Sequence, residues 1–217
     1  TNKKAWELNR LIRKHIPFMI STVNQTAGKG QRRNIWVSEA GKNITCSFVV
    51  YPVFLKPDKQ FFISMAVSLA LVDLLAEKAL KAQIKWPNDI YVEGEKIAGI
   101  LIEHASDSKS IRCSVIGIGM NVNQSSFPKN TGRPVSMKML TGKEYELSTV
   151  LSDLEDKIIR QMNRLSTGVY KQIKQEYEEK MMYMNTACAF KTERGIISGK
   201  IVSVDKEGKL LIKNEYG

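Results

Sequence analysis

Lys85-Trp86-Pro87-Asn88-Asp89 and, shortly after it, Lys96-Ile97-Ala98-Gly99-Ile100-Leu101-Ile102-Glu103 set two cations, an amide and carboxylates beside an almost wholly apolar run. Ionised groups next to apolar surface need compensation, and a bound anion supplies it. The stretch therefore reads as a ligand site for an anion. The bland alternative is a pair of exposed lysines flanking turns, the ordinary fate of this residue type.

A second stretch has the same flavour. Gln25-Thr26-Ala27-Gly28-Lys29-Gly30-Gln31-Arg32-Arg33-Asn34-Ile35-Trp36 holds two glycines and three cations with few apolar residues, so it reads as a loop. Gly28 and Gly30 would let backbone N–H groups approach an anion closely, and Trp36 would offer a flat face for a stacked ring. Gly-x-Gly alone is also a common plain turn. A third signal is parity in the run 111–122. Its even positions Ile116, Ile118, Met120 and Val122 are bulky, while the odd positions Gly117, Gly119 and Asn121 are small or polar. In a strand this packs one face on the core and keeps the other open, although a bulge or tight sheet packing would also use glycine. Asn121, donor and acceptor at once, suits a heteroaromatic edge.

Positioning these residues requires a set of elements whose outline the pattern predicts. A helix over 4–15 precedes a strand over 18–23. A buried strand over 44–51 ends at Pro52, and a helix spans 61–80. A strand over 82–86 is stopped by Pro87, and a Gly94-Glu95 turn folds 90–93 back on 96–103 as a hairpin. After a Pro/Gly/Ser-rich connection over 124–142, Leu147, Val150, Leu151, Leu154, Ile158 and Ile159 share one helical face, and Val169, Ile173 and Tyr177 another. Met181, Met182 and Met184 fit gap-filling core positions. From Thr186 onward short strands alternate with turns at residues 193–195 and 205–208, a small all-β appendage expected to lack one or two strands.

The chain has 217 residues, 43% of them hydrophobic, enough for a full core in one large domain with a small addition. The run 61–80 is interrupted by Ser64, Ser68, Asp73 and Glu77, so a core helix is expected rather than a membrane span. Cys46, Cys113 and Cys188 are odd in number and widely spaced, which favours reduced thiols and the cytoplasm. With only His15 and His104 and no Cys-x-x-Cys pair, a zinc site or a histidine-based triad is disfavoured. The net charge is +11, and residues 1–42, with nine Lys/Arg and two Glu, contribute +7 of it. That excess points to an anionic ligand or partner, or simply to a solvated basic face. Nucleic acid would satisfy it, although no helix-turn-helix, zinc-finger or ribonucleoprotein signature accompanies it, and a nucleoside triphosphate would satisfy it too.

Taken together, the stretch 25–36, Lys85-Trp-Pro-Asn-Asp89, Lys96-Ile-Ala-Gly-Ile100 and Gly117-Ile-Gly-Met-Asn121-Val-Asn, in this order and spacing, resemble the biotin protein ligases over nearly the whole chain. Thr1-Asn2 resembles the end of that family's Ser-Thr-Asn element, whose serine would precede Thr1. The resemblance implies an α+β fold: a mixed central sheet flanked by helices, like the class II aminoacyl-tRNA synthetases, over residues 1–184, and an SH3-like β-barrel, incomplete, over 185–217. It implies the monofunctional type, without a DNA-binding domain. The implied activity uses ATP and Mg²⁺ to convert biotin to biotinyl-5'-AMP, then passes biotin to a lysine of the biotin carrier domain of a carboxylase. Lys96, assisted by Lys85, would be catalytic. Thr1, Asn2, Gln25, Lys29, Gly30, Gln31, Lys96, Gly99, Leu101 and Gly117 would bind biotin. Gly28, Lys29, Gln31, Arg32, Arg33, Trp36, Asn88, Asp89 and Asn121 would bind ATP, with Asp89 also the candidate Mg²⁺ ligand. A homodimer is one possible assembly; nucleic acid and membrane are not expected as partners.

The glycine-rich stretch departs from the family's common Gly-Arg-Gly-Arg-Arg-Gly-Arg. Lys29 replaces an arginine, Gln31 and Asn34 stand where arginines are frequent, and Arg33 stands where glycine is frequent. Arg32 and Arg33 would then carry the charge. Three other functions are compatible with the same residues: a lipoate or octanoate ligase or transferase, a biotin or nucleotide sensor without turnover, and a nucleic-acid module using the basic N-terminal third.

Overall fold

Strand alternation, two-residue turns and one largely apolar helix account for most of the architecture. The structure is a computed structural model and describes residues 1–12, 15–31, 34–129, 132–192 and 195–214. In chain order its elements are α1 (Asn2–Leu11), β1 (Phe18–Ser21), β2 (Gly28–Lys29), β3 (Ile35–Trp36), β4 (Asn43–Val50), α2 (Phe61–Glu77), β5 (Ala82–Lys85), β6 (Asp89–Val92), β7 (Glu95–Ser106), β8 (Ile111–Asn121), α3 (Met137–Thr141), α4 (Leu147–Ser166), α5 (Tyr170–Lys180), β9 (Ala187–Thr192), β10 (Gly195–Val204) and β11 (Leu210–Lys213).

Six strands form one sheet in the order β1-β4-β8-β7-β6-β5. Every neighbouring pair is antiparallel, which corrects the expectation of a mixed sheet. The reason is connectivity: β5 to β8 are a meander whose short turns reverse the chain each time, so no parallel crossover is needed. The β6–β7 turn is Glu93-Gly94 rather than Gly94-Glu95. Both residues have positive φ, 52° and 79°, the two left-handed positions of a type I′ hairpin turn.

One face of the sheet carries the main core. Ile116, Ile118, Met120, Ile100, Ile84, Ile90, Ile44 and Phe48 are buried there with twelve residues of α2. The segment Pro57–Glu77 is long and apolar enough to cross a membrane, but it is mostly buried inside the fold, with α4 and α5 packed on α2. The apolar stripes of α4 and α5 place Val150, Leu154, Ile158, Ile173 and Tyr177 in the same core, as their spacing requires. Met181 and Met182 are buried, and Met184 packs against the core edge.

The opposite face is divided in two. At one end α1 covers it, burying Ala5 against Val49, Cys113 and Val115, with Trp6, Phe18, Ile20 and Tyr51 at the margin. The remainder, from Gly117 onward, forms the floor of a cleft. Helix α1 covers Asn2–Leu11 where 4–15 was expected, and the connection 124–142 contains the short helix α3, capped by Ser136 Oγ accepting from Met139 N–H and closed by Gly142 at φ 71°.

The C-terminal strands form an antiparallel sheet in the order β11-β10-β9. Among the described residues β9 and β11 do not pair, so the expected SH3-like barrel is not seen as a closed one. This sheet is tied to the larger body through hydrogen bonds. Met182 N–H donates to Ile84 O at 2.8 Å, on the free side of edge strand β5. Glu178 Oε1 accepts from Lys174 Nζ and Ser203 Oγ at 2.6 Å and from Val204 N–H at 2.8 Å. Lys206 pairs with Asp58 at 2.7 Å, and the Trp86 indole N–H donates to Gly208 O at 2.8 Å.

Candidate active site

The cleft floor follows from register. Across the sheet, Thr45, Gly119, Gly99, Asp89 and Lys85 stand opposite one another in one row, and Ser47, Gly117 and Leu101 in the next. Residues directly opposite share a face, so two rows with glycine at their centres make a trough. Walls rise from the N-terminal turns of α1, from the β2–β3 hairpin and from the Trp86–Asp89 turn, enclosing a cavity of about 1330 Å³.

At one end two residues singled out separately in sequence form an ion pair. Lys96 Nζ is 2.7 Å from Asp89 Oδ1, and both side chains are largely sheltered, 31% and 23% exposed. Lys96 is pinned through its backbone: its N–H donates to Arg133 O at 2.8 Å, and its carbonyl accepts from Val135 N–H at 2.9 Å. Gly99 lies beneath the pair, where a methyl would make ordinary contact with Lys96 Nζ at 3.4 Å and Asp89 Oδ1 at 3.5 Å. A lysine held so, with one acidic partner and free donors, can meet an anion arriving in the trough.

Asn88 and Lys85 sit differently from expectation. The Asn88 side-chain amide donates to Ile100 O at 2.8 Å, and Asn88 O accepts from Ile100 N–H at 2.9 Å, so this residue clamps the turn while facing the cleft. Lys85 shares Asp89's row but lies on edge strand β5. Its ammonium is 3.2 Å from the Tyr91 hydroxyl and 4.7 Å above that ring, and it is not among the cleft-lining residues.

Above Gly119 lies Trp36. A methyl on Gly119 would come within 2.4 Å of Trp36 Cε2, so the glycine admits the indole. Trp36 Nε1 and Asn121 Oδ1 are both buried without a hydrogen-bond partner among the described residues. A donor and an acceptor left unpaired this way are costly unless a ligand or water completes them. Asn121 is reached less directly than expected: it is buried, with Nδ2 donating to Val135 O at 3.0 Å.

The stretch 25–36 is not wholly a loop. Gly28-Lys29 pairs with Ile35-Trp36 as a short ladder, and Gly30 N–H donates to Asn34 O at 2.7 Å. The backbone that approaches Gly28 closely is the chain's own, because a methyl there would lie 2.1 Å from Trp36 O. Lys29, Gly30 and Gln31 line the cleft. Arg32 and Arg33 lie outside the described residues.

At the other end Thr1, Asn2, Gln25, Leu101 and Gly117 come together as expected. The open space over Gly117 is filled by Asn2, whose Oδ1 is 2.3 Å from where a methyl would be. Ser47 Oγ donates to Asn2 Oδ1 at 2.7 Å, and Asn2 Nδ2 donates to Leu101 O at 3.2 Å and Glu103 Oε2 at 3.0 Å. Thr1 Oγ1 donates to Cys46 O at 3.3 Å. Sequence reasoning missed Trp6 and gave Glu103 no role. The signals were present: Glu103 stands two residues beyond Leu101, on the same strand face, and Trp6 stands one helical turn beyond Asn2.

With this geometry established, similarity to known proteins is informative. The family model described as the Biotin/lipoate A/B protein ligase family matches residues 1–121. A bifunctional ligase/repressor BirA of Bacillus spizizenii is 30% identical over 197 residues, covering 89% of this chain and 60% of that protein. A biotin–[acetyl-CoA-carboxylase] ligase of Paracoccus denitrificans is 26% identical over 200 residues, covering 89% of this chain and 82% of that protein. The chain thus spans only 60% of the length of the Bacillus relative. Among solved structures, the biotin protein ligase of Aquifex aeolicus in complex with biotin and ATP superimposes with a TM-score of 0.80 at 27% identity, covering 96% of this chain and 88% of that one. The residues that line the cleft all fall within the matched span 1–121, and the chain belongs to the biotin/lipoate A/B protein ligase family.

Proposed function

We propose that the chain is a biotin protein ligase: it activates biotin with ATP to biotinyl-5'-AMP and delivers the biotinyl group to a lysine of a biotin carrier domain. The observation that carries this reading is the trough itself, with Lys96 and Asp89 at one end, the Asn2 and Gln25 amides at the other, and the Trp36 indole laid over Gly119. The relatives and neighbours named above are biotin ligases, which favours biotin over lipoate within the family.

The chemistry follows from charge. Attack of the biotin carboxylate on the α-phosphate of ATP brings two anions together, forms a carboxyl–phosphate anhydride and expels pyrophosphate. Lys96, fixed by its backbone contacts to Arg133 and Val135, places a compact cation where that repulsion arises and where charge grows on the phosphate oxygens. Thr1, Asn2 and Gln25 address the polar ureido ring, and Leu101 with the glycine rows provides the slot for the apolar remainder. Trp36 stacks on the nucleotide, and the unpartnered Trp36 Nε1 and Asn121 Oδ1 mark the groups that a nucleotide or its water would satisfy. Lys29 and Gln31, which line the cleft, cover the adenylate and keep water from it. Transfer then needs a neutral carrier lysine brought in line with the acyl carbon, with AMP leaving. Lys85, at the rim on edge strand β5, contributes long-range attraction for phosphate.

Mg²⁺ fits this donor set modestly. No cluster of three His, Cys, Asp or Glu occurs among the described residues, and Asp89 is the cleft carboxylate beside Lys96. That suits an ion bound by one carboxylate, substrate phosphates and water. Bound there, Mg²⁺ would neutralise phosphate charge and ease departure of pyrophosphate.

We further read residues 1–184 as the catalytic unit and 185–217 as an appended β-sheet unit, working in the reducing cytoplasm, where Cys46, Cys113 and Cys188 stay as the free thiols they are here. The test is transfer: incubation with biotin, ATP, Mg²⁺ and an isolated carrier domain should add one biotinyl group to that domain's lysine, read by mass spectrometry. No mass gain, with the carrier competent toward another ligase, would overturn the proposal.

A further inference from the structure

We propose that Glu103 is a positioning residue for biotin. Its carboxylate fastens the first turn of α1 over the slot and so holds Asn2 in the one orientation that can serve the ureido ring. This rests on the ligase reading above and extends it to a side chain outside the family motifs.

The argument starts from the Asn2 amide, which needs its two ends told apart. Ser47 Oγ donates to Asn2 Oδ1 at 2.7 Å, while Leu101 O and Glu103 Oε2 accept from Nδ2 at 3.2 Å and 3.0 Å. A flipped amide would turn its oxygen toward two acceptors, Leu101 O and Glu103 Oε2, so the carbonyl and the carboxylate together disfavour the flip. The same Oε2 accepts from the Trp6 indole N–H at 3.3 Å. Asn2 and Trp6 are four residues apart on α1 and share a face, so one carboxylate oxygen gathers two points one turn apart. Gly117 completes the arrangement by admitting Asn2 Oδ1 to a spot that any side chain would fill.

Glu103 differs from the other carboxylates of the cleft. Asp89 pairs with Lys96 at 2.7 Å and Glu7 with Lys4 at 3.2 Å. Glu103 is held by two neutral donors, and it lies on the strand face that carries Leu101.

The experiment is titration calorimetry of biotin, and separately of ATP, into wild type, Glu103→Ala, Glu103→Gln and Trp6→Phe, each checked for its melting temperature. Glu103→Ala should weaken biotin by about tenfold or more and leave ATP affinity unchanged, the loss of a charged hydrogen-bond acceptor. Glu103→Gln, which keeps an acceptor, should stay within about threefold of wild type, and Trp6→Phe likewise, since Asn2 keeps its bond. Unchanged biotin affinity in Glu103→Ala overturns the inference. So does equal weakening of biotin and ATP, or a Gln variant as poor as Ala, which would assign the effect to general stability or to charge alone. Wild-type protein that binds no biotin would instead mark failure of the ligase reading itself.

Discussion

Gly119→Ala probes the floor of the trough most sharply. The new methyl would lie 2.4, 2.6 and 2.7 Å from Cε2, Nε1 and Cζ2 of Trp36, where ordinary contact begins at 3.4 Å. The indole must therefore retreat by about 1 Å, a displacement on the scale that can cost roughly 10²-fold in a positioned reaction. It cannot slide freely, because the Trp36 backbone is paired to Gly28 and its carbonyl lies against that glycine. Overpacking adds about 1–3 kcal/mol of destabilisation, a fall in Tm of roughly 2–4 °C per kcal/mol for a chain of this size. The assay is pyrophosphate exchange with ATP and biotin varied in turn. The variant should show a KM for ATP raised by at least about tenfold, with the KM for biotin within about twofold. In a Trp36→Ala background the same substitution should cost almost nothing further, since the residues act through one contact. An unchanged KM for ATP in Gly119→Ala, or an equal loss with Trp36 absent, would refute the claim that this glycine exists to seat the indole.

Other outcomes follow from the same geometry. Lys96→Ala should cut exchange by about 10²–10³-fold, as for removal of a group stabilising transition-state charge; Lys96→Arg should recover little, because a planar fork does not replace a compact ammonium beside Asp89. Recovery by arginine beyond about half of wild-type exchange would contradict that placement. Trp86→Phe removes the hydrogen bond to Gly208 O and should loosen the C-terminal sheet by about 1 kcal/mol, seen as faster amide exchange in residues 205–212 with β8 unchanged. Burial pushes the Cys46 thiol up to about 12 and the Cys113 thiol up to about 11. An unfolded thiol titrates near about 8.5, so the unfolded chain loses protons first as pH rises. Stability from these sites is complete below that value and declines as pH climbs toward the folded values. Urea midpoints should accordingly be lower at pH 10 than at pH 7, and substituting both cysteines by alanine should reduce the difference.

Local patterns were legible wherever they depended on one element. The parity of β8 announced an open face, and the register shows glycines on exactly that face with Ile116, Ile118 and Met120 on the other. Apolar spacing placed α4 and α5, and Lys96 and Asp89, each singled out in sequence, both line the cleft. What sequence could not supply was long-range. Gly117 looked like room for a ligand, yet Asn2, far away in the chain, occupies it. Lys85, expected to assist Lys96, is not among the cleft-lining residues because β5 is the sheet edge, a matter of strand order. Asn88 spends its amide on Ile100, a bond visible only once the turn is closed. The sheet's wholly antiparallel pairing and the open form of the C-terminal strands likewise depend on which strands find each other, not on the composition of any one.

Biotin-dependent exchange of labelled pyrophosphate into ATP, run with Mg²⁺ and repeated with lipoate in place of biotin, tests the central claim most directly. The account expects exchange with biotin, none with lipoate, and collapse of the biotin signal in Lys96→Ala. Exchange supported by lipoate and not by biotin, or no exchange with either acid from folded protein, would contradict it.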